Sequence, residues 1–176
     1  DGAYKAADFI NFCDAYDIPV LSLTNVKGYA TDVRSEKSIA KAVAKLTYAF
    51  ANANVPKVNV ITGEAYGSAY VTMNSKALGA DVTYAWPDAS IGMMDANEAA
   101  KIMYADDIAK SADVQSVISE KAAEYAALQS GVESAAARGY VDTIINPEDT
   151  RKYVAAAFEM LYTKREDRPD KKHGTV

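Results

Sequence analysis

The sequence predicts an α/β fold, and three observations carry that reading. Short apolar runs rich in β-branched residues, such as Val58-Asn59-Val60-Ile61, have the length and composition of buried strands. They alternate with longer stretches of helical period, such as Ile39, Val43, Leu46 and Phe50. Small residues (Gly63, Ala65, Gly67, Ser68, Ala69) stand where the central strand passes into the next helix. Alternating strands and helices argue for an α/β arrangement.

The elements follow in order. Residues 3–16 place Ala6, Phe9, Ile10 and Cys13 on one face, an amphipathic helix. Residues 18–26 read as a buried strand and 27–34 as a loop. Residues 35–53 read as a helix with Ser35 as its N-cap. After the central strand, a helical pattern runs through Tyr70, Met73 and Leu78 and closes at Gly79, a C-terminal cap. Residues 82–87 and 89–94 give two more short strands. Asp95 caps a helix to Tyr104, and residues 113–128 carry Val114, Val117, Ile118, Tyr125 and Leu128 on one stripe. Residues 140–145 read as a strand. Asn146 as N-cap, Pro147 in the first position and acids in the first turn open a last helix to about Arg165, burying Val154, Phe158 and Leu161.

The chain has 176 residues, enough for one domain with a sizeable core. A formal charge of −5 gives no broad basic surface, so no nucleic-acid partner is expected. No apolar run is long enough to span a membrane, and the start has no signal-peptide pattern, which fits a cytoplasmic protein. The single cysteine, Cys13, allows no internal disulfide and no cysteine-based metal cluster. It lies in an apolar helical pattern, as a core residue does. The single histidine, His173, falls in the charged tail (residues 165–176), so neither a Ser–His–Asp triad nor a histidine metal site is expected. There is no Walker-type phosphate loop.

The chemistry points instead to the turn after the central strand. The first N–H groups of a helix have no intrahelical partner, and the helix dipole favours negative charge there. Strand, small-residue turn and helix can therefore stabilise an oxyanion without any side chain. Taken alone, the same residues suit first a plain tight turn with close strand–helix packing.

Several runs carry a resemblance. They include Phe9-Ile10-Asn11-Phe12-Cys13-Asp14-Ala15, Ala65-Tyr66-Gly67-Ser68-Ala69-Tyr70, Leu78-Gly79-Ala80-Asp81-Val82, Tyr84-Ala85-Trp86-Pro87 and Ala137-Arg138-Gly139-Tyr140-Val141-Asp142. In these the chain resembles the crotonase superfamily and, more closely, the carboxyltransferase subunit of biotin-dependent acyl-CoA carboxylases and decarboxylases. It matches the second, C-terminal half of that subunit over nearly its whole length. The resemblance implies a crotonase-like spiral of ββα units and a single partial domain over residues 1–176. It also implies a piece of a longer polypeptide, inactive in isolation.

What the family does becomes an expectation here. The reaction moves a carboxyl group between carboxybiotin and an acyl-CoA, and backbone oxyanion holes stabilise the biotin ureido oxyanion and the acyl-CoA enolate. The biotin-side donors map onto Ser68 and Ala69 as catalytic positions, with Gly28, Gly67, Ser68 and Ala69 around biotin. The biotin is attached to a carrier protein or domain, not to this chain. Ser68 stands where the family has glycine, where a strongly positive φ would cost more. Val71 replaces an acidic residue that lines the acyl pocket, which changes acyl preference or merely packs. Lys27-Gly28-Tyr29 replaces a Pro-Gly-Phe turn near the biotin pocket, so a plain turn is the alternative for Gly28. Asp95 and Glu98 replace glycines: helix capping is the first reading, negative charge near the pocket the second. Implied partners are the N-terminal carboxyltransferase half, the biotin carrier, the acyl-CoA, a biotin carboxylase or a membrane decarboxylase subunit, and further copies of the chain, which should associate through the helix from Ser35 and the turn at Gly67. Two alternatives stand beside the carboxylase reading: a biotin-dependent decarboxylase alpha subunit, and a non-catalytic binding or assembly domain of the same fold.

Overall fold

The computed structural model describes residues 1–111, 113–167 and 169. Its centre is a five-stranded, all-parallel sheet of β1 (Val20–Val26), β2 (Lys57–Tyr66), β3 (Val82–Ala85), β4 (Ser90–Gly92) and β5 (Thr143–Ile144). The order is β1-β2-β3-β5. The long β2 is shared: its first half pairs with β3 (Val60 beside Tyr84) and its second half with β4 (Tyr66 beside Gly92). The α/β class expected from the alternation is what forms.

Register sorts the side chains onto two faces. Val20, Ser22, Lys57, Asn59 and Thr83 share one face, while Leu21, Leu23, Val58, Val60 and Tyr84 share the other. On the first face, α1 (Gly2–Ala15) and α2 (Val33–Asn52) close a core of Ala7, Ile10, Cys13, Val20, Leu46 and Phe50. Towards the carboxyl ends of the strands a second core gathers Ile61, Ala65, Tyr70, Ala85, Ile91, Val132, Ala135 and Val141. It draws on α3 (Gly67–Thr72) and, past α4 (Ala96–Met103), α5 (Ala105–Lys110) and α6 (Val114–Tyr125), on α7 (Val132–Ala137). On the other face α8 (Thr150–Met160) packs Val154 and Ala157 onto Val58, Val60 and Tyr84. Cys13 is buried as a core residue between α1 and α2, and burial pushes its thiol up.

Five local expectations are corrected. The sequence predicts a β1 buried throughout; it is an edge strand, and Leu21 (43 % exposed) and Leu23 (58 %) face outward, because α8 covers only the neighbouring strands. The N-cap of α2 is Asp32, not Ser35. Its carboxylate accepts the N–H groups of Arg34 and Ser35 and the Ser35 hydroxyl, so Ser35 lies inside the first turn. The helix expected through Leu78 stops at Thr72, since Asn74 adopts a left-handed φ of 58°; a single 3-10 turn, Lys76–Leu78, follows and ends at Gly79 (φ 99°). The strand over 140–145 shortens to Thr143–Ile144, because Asp142 bends away to accept the Thr83 N–H and pair with Lys76. The last helix ends at Met160, with Phe158 and Leu161 only partly buried. The caps at Asp95 and Gly79 form as expected; the tail with His173 lies outside the described residues.

Candidate functional site

β2 delivers the chain to a sharp turn. Tyr66 is extended (φ −118°, ψ 138°), and Gly67 then takes a φ of 59°. A side chain there would be strained by the backbone alone. It would also put a Cβ 2.9 Å from the Met93 carbonyl oxygen. β4 causes that close approach, since it pairs with the end of β2 and brings Gly92 and Met93 across the turn. The strain expected at Ser68 is absent: the left-handed residue is Gly67, and among described non-glycine residues only Asp17 and Asn74 have positive φ. Ser68 sits in the first turn of α3, exposed, beside buried Ala69. The turn is braced within, as the Thr72 hydroxyl donates to the Ser68 carbonyl at 2.8 Å. With its one proton so used, Thr72 accepts from the Tyr29 hydroxyl, 2.9 Å away.

A cavity of about 390 Å³ opens at this turn. Gly67, Ser68, Tyr70 and Val71 form one side, Ile91, Gly92 and Met93 the second, and Ala135, Arg138 and Tyr140 the third. Its size and mostly apolar lining are those of a small-molecule site. Tyr70 is 7 % exposed and its hydroxyl has no partner among the described residues. Burial pushes it up to about 12, with Tyr140 adding to the effect, so it stays a neutral donor. Among the described lining residues, Arg138 carries the one charge. Its guanidinium donates to Gln129 Oε1.

Gly67, Ser68 and Val71 are thus brought to one cavity. Ala69 stands between them in sequence, buried at 4 %, outside its lining. Gly28 is not brought there. It is exposed, with nothing within 4 Å of a Cβ built on it, and its neighbour Lys27 pairs with Glu64 at 2.9 Å. The hydrogen bond and charge of Glu64 raise Lys27 above its ordinary value, and Asp95 adds a smaller contribution. Asp95 caps α4 through the Asn97 N–H, and Glu98 pairs with Lys101. Trp86 donates to the Thr150 hydroxyl at 2.9 Å. Tyr70, Arg138, Tyr140 and Met93 carried no functional signal in the sequence. They come from segments 67–71, 91–93 and 135–140, which only the sheet order unites.

Among the described residues no three His, Cys, Asp or Glu gather as metal ligands, and no helix is long and apolar enough to cross a membrane.

The chain is 46 % identical over 181 residues to the propionyl-CoA carboxylase beta chain of Saccharopolyspora erythraea, covering 100 % of this chain and 33 % of that one. To the methylmalonyl-CoA decarboxylase subunit alpha of Propionigenium modestum it is 43 % identical over 177 residues, covering 100 % and 34 %. Among solved structures, transcarboxylase 12S, described as a hexamer with methylmalonyl-coenzyme A and methylmalonic acid bound, superposes with a TM-score of 0.93 at 43 % identity, covering 98 % of this chain and 33 % of that one. The chain therefore spans about a third of the length of the curated relatives it matches. The family described as the carboxyl transferase domain matches residues 1–176 in full, and with these relatives and the crotonase-like fold the chain belongs to that family.

Proposed function

We propose that this domain forms the biotin side of an acyl-CoA carboxyltransferase. The observation that carries the reading is the Gly67 turn: a left-handed glycine, a helix start and a cavity of about 390 Å³ meet at one point. In a relatively dry site, backbone donors are worth far more to a developing oxyanion than they are in water. The biotin ureido group, brought on a separate carrier, would supply the carrier chemistry for the carboxyl group. The cavity fits such a group: its walls are mostly apolar, its volume suits a small bicyclic ring, and one buried hydroxyl, that of Tyr70, has no partner among the described residues and can donate. Gly67 and Ser68 would lie against the ureido oxygen, with the Ser68 and Ala69 N–H groups as donors. Val71, 40 % exposed on the rim, would face the acyl chain. Gly28 has no role in this reading.

The test is Ala69→Pro in the full-length protein. Proline removes one N–H in the first helical turn, where no intrahelical bond depends on it. Transfer should fall by about 100- to 1,000-fold, as for loss of one oxyanion donor. Ala69→Ser keeps the N–H and should keep the rate. A folded proline variant with near-normal activity removes this turn from the mechanism. Because proline also restricts Ser68, folding is checked separately by circular dichroism.

Direction of transfer follows the partners. The similarity to both a carboxylase beta chain and a decarboxylase alpha subunit supports one reversible chemistry. A biotin carboxylase partner makes the protein a carboxylase component. The domain is also built to associate. Exposed large apolar residues include Phe9 and Phe12 of α1, Tyr16 just past its end, Leu21 and Leu23 of β1, and Ile102 and Met103 of α4, with Val71 and Met93 at the cavity; the one on α2 is Val33. Patches of this kind drive association. Sedimentation across a concentration series tests it, and a strictly monomeric species at high concentration counts against it.

A further inference from the structure

We infer that Arg138 binds the carboxylate of the ligand held in this cavity. The inference rests on the proposed function and adds a side-chain contact to it. Arg138 lines the same cavity as the Gly67 turn and stands, exposed, just past the end of α7. In a chain of net charge −5 it is the one charged residue among the described residues lining a mostly apolar cavity. No carboxylate pairs with it among the described residues. Its hydrogen-bond partner is the neutral amide of Gln129, which aims the guanidinium without cancelling its charge. Gln129 is set by a wide helical turn, Ala126–Ser130, that continues α6. Such turns recur at functional positions. The bond to Gln129 occupies one of five N–H donors and leaves a fork that matches a carboxylate in two parallel hydrogen bonds.

A neutral ureido ring needs only donors to its oxygen, which the Gly67 turn and the Tyr70 hydroxyl can offer. A guanidinium on the lining of the same cavity, exposed and with no carboxylate partner among the described residues, suits a ligand that also carries negative charge. A ureido ring carboxylated on nitrogen has that charge: the carboxylate sits on the atom bonded to the carbonyl carbon, beside the ureido oxygen, where a donor lining the same cavity would meet it. Gln129 holds the guanidinium, the Tyr70 hydroxyl orients the ring, and Arg138 reads the charge.

The test uses a stable carboxylate probe on the full-length protein. Calorimetry measures binding of N1-carboxymethyl-biotin and of its neutral carboxamide to wild type, Arg138→Gln, Arg138→Lys and Gln129→Ala. Wild type should prefer the acid over the amide. Arg138→Gln should lose about tenfold on the acid, the low end for a charged hydrogen bond because the site is partly open to water, and stay within about twofold on the amide. Arg138→Lys should recover part of the preference, and Gln129→Ala should weaken it. Equal losses on both probes, or none, overturn the assignment of Arg138. If wild type transfers a carboxyl group yet binds acid and amide alike, this inference alone fails. If wild type neither transfers nor binds either probe, the proposed function fails with it.

Discussion

Gly67→Ala is the perturbation that the turn specifies most sharply. Alanine at a φ of 59° costs about 1–2 kcal/mol, because Cβ crowds the following carbonyl. Its methyl group would also sit 2.9 Å from the Met93 carbonyl oxygen, a backbone atom that cannot rotate away. Relieving that overlap must shift β4 relative to β2 where Tyr66 pairs with Gly92. Such overpacking costs about 1–3 kcal/mol. The sum is roughly 2–5 kcal/mol, a large part of the ~5–15 kcal/mol that holds a domain together. For a domain of this size the unfolding midpoint should drop by roughly 5–15 °C, read by circular dichroism. Gly28→Ala is the control. That glycine lacks a left-handed φ and has open space where a methyl group would go, so its variant should stay within about 0.5 kcal/mol of wild type. A Gly67→Ala protein as stable as the Gly28→Ala control refutes the reasoning, because the turn would then not be tight.

Other outcomes follow from the same geometry. Leu46→Ala, in the core between α1 and α2, should cost about 2–5 kcal/mol in urea unfolding. Tyr70 is raised to about 12, above an unfolded value near 10, so its contribution is intact below about pH 10 and is lost as pH climbs towards 12. Stability should fall there with a limiting slope of about 1.4 kcal/mol per pH unit, and Tyr70→Phe should flatten part of that fall, with Tyr66 and Tyr84 raised in the same direction. Asp95→Ala should cost about 1 kcal/mol through loss of the cap on α4, while Asp95→Asn should be nearly neutral in stability.

The sequence showed those parts of the fold whose cause is local. The β2 run, the small residues of the turn and the Asp95 cap are each legible within a window of a few residues, and each forms. What failed depended on a competitor or on distance. Ser35 and Asp32 both suit an N-cap; Asp32 wins because its carboxylate reaches two N–H groups and the Ser35 hydroxyl at once. The exposure of Leu21 and Leu23 depends on where α8 lands, which no window around β1 contains. Of the site, Gly67, Ser68 and Val71 were legible because they are consecutive with the turn. Arg138 was not, because its place is fixed by the Gln129 contact and by the packing of α7 against β4.

A site that works through backbone donors shifts the constraint away from catalytic side chains. What must be kept is the path of the chain: a residue that tolerates a φ of 59° at 67, and a strand close enough at Gly92 and Met93 to close the cavity. Position 68 then accepts serine, since its backbone is not left-handed and its N–H is the same as that of glycine. Position 95 accepts aspartate because that side chain is spent on the α4 cap. Among the described lining residues, side-chain charge enters this cavity only at Arg138. On this reasoning the turn would set whether transfer can occur, and Arg138 would favour the carboxylated ligand over the neutral one.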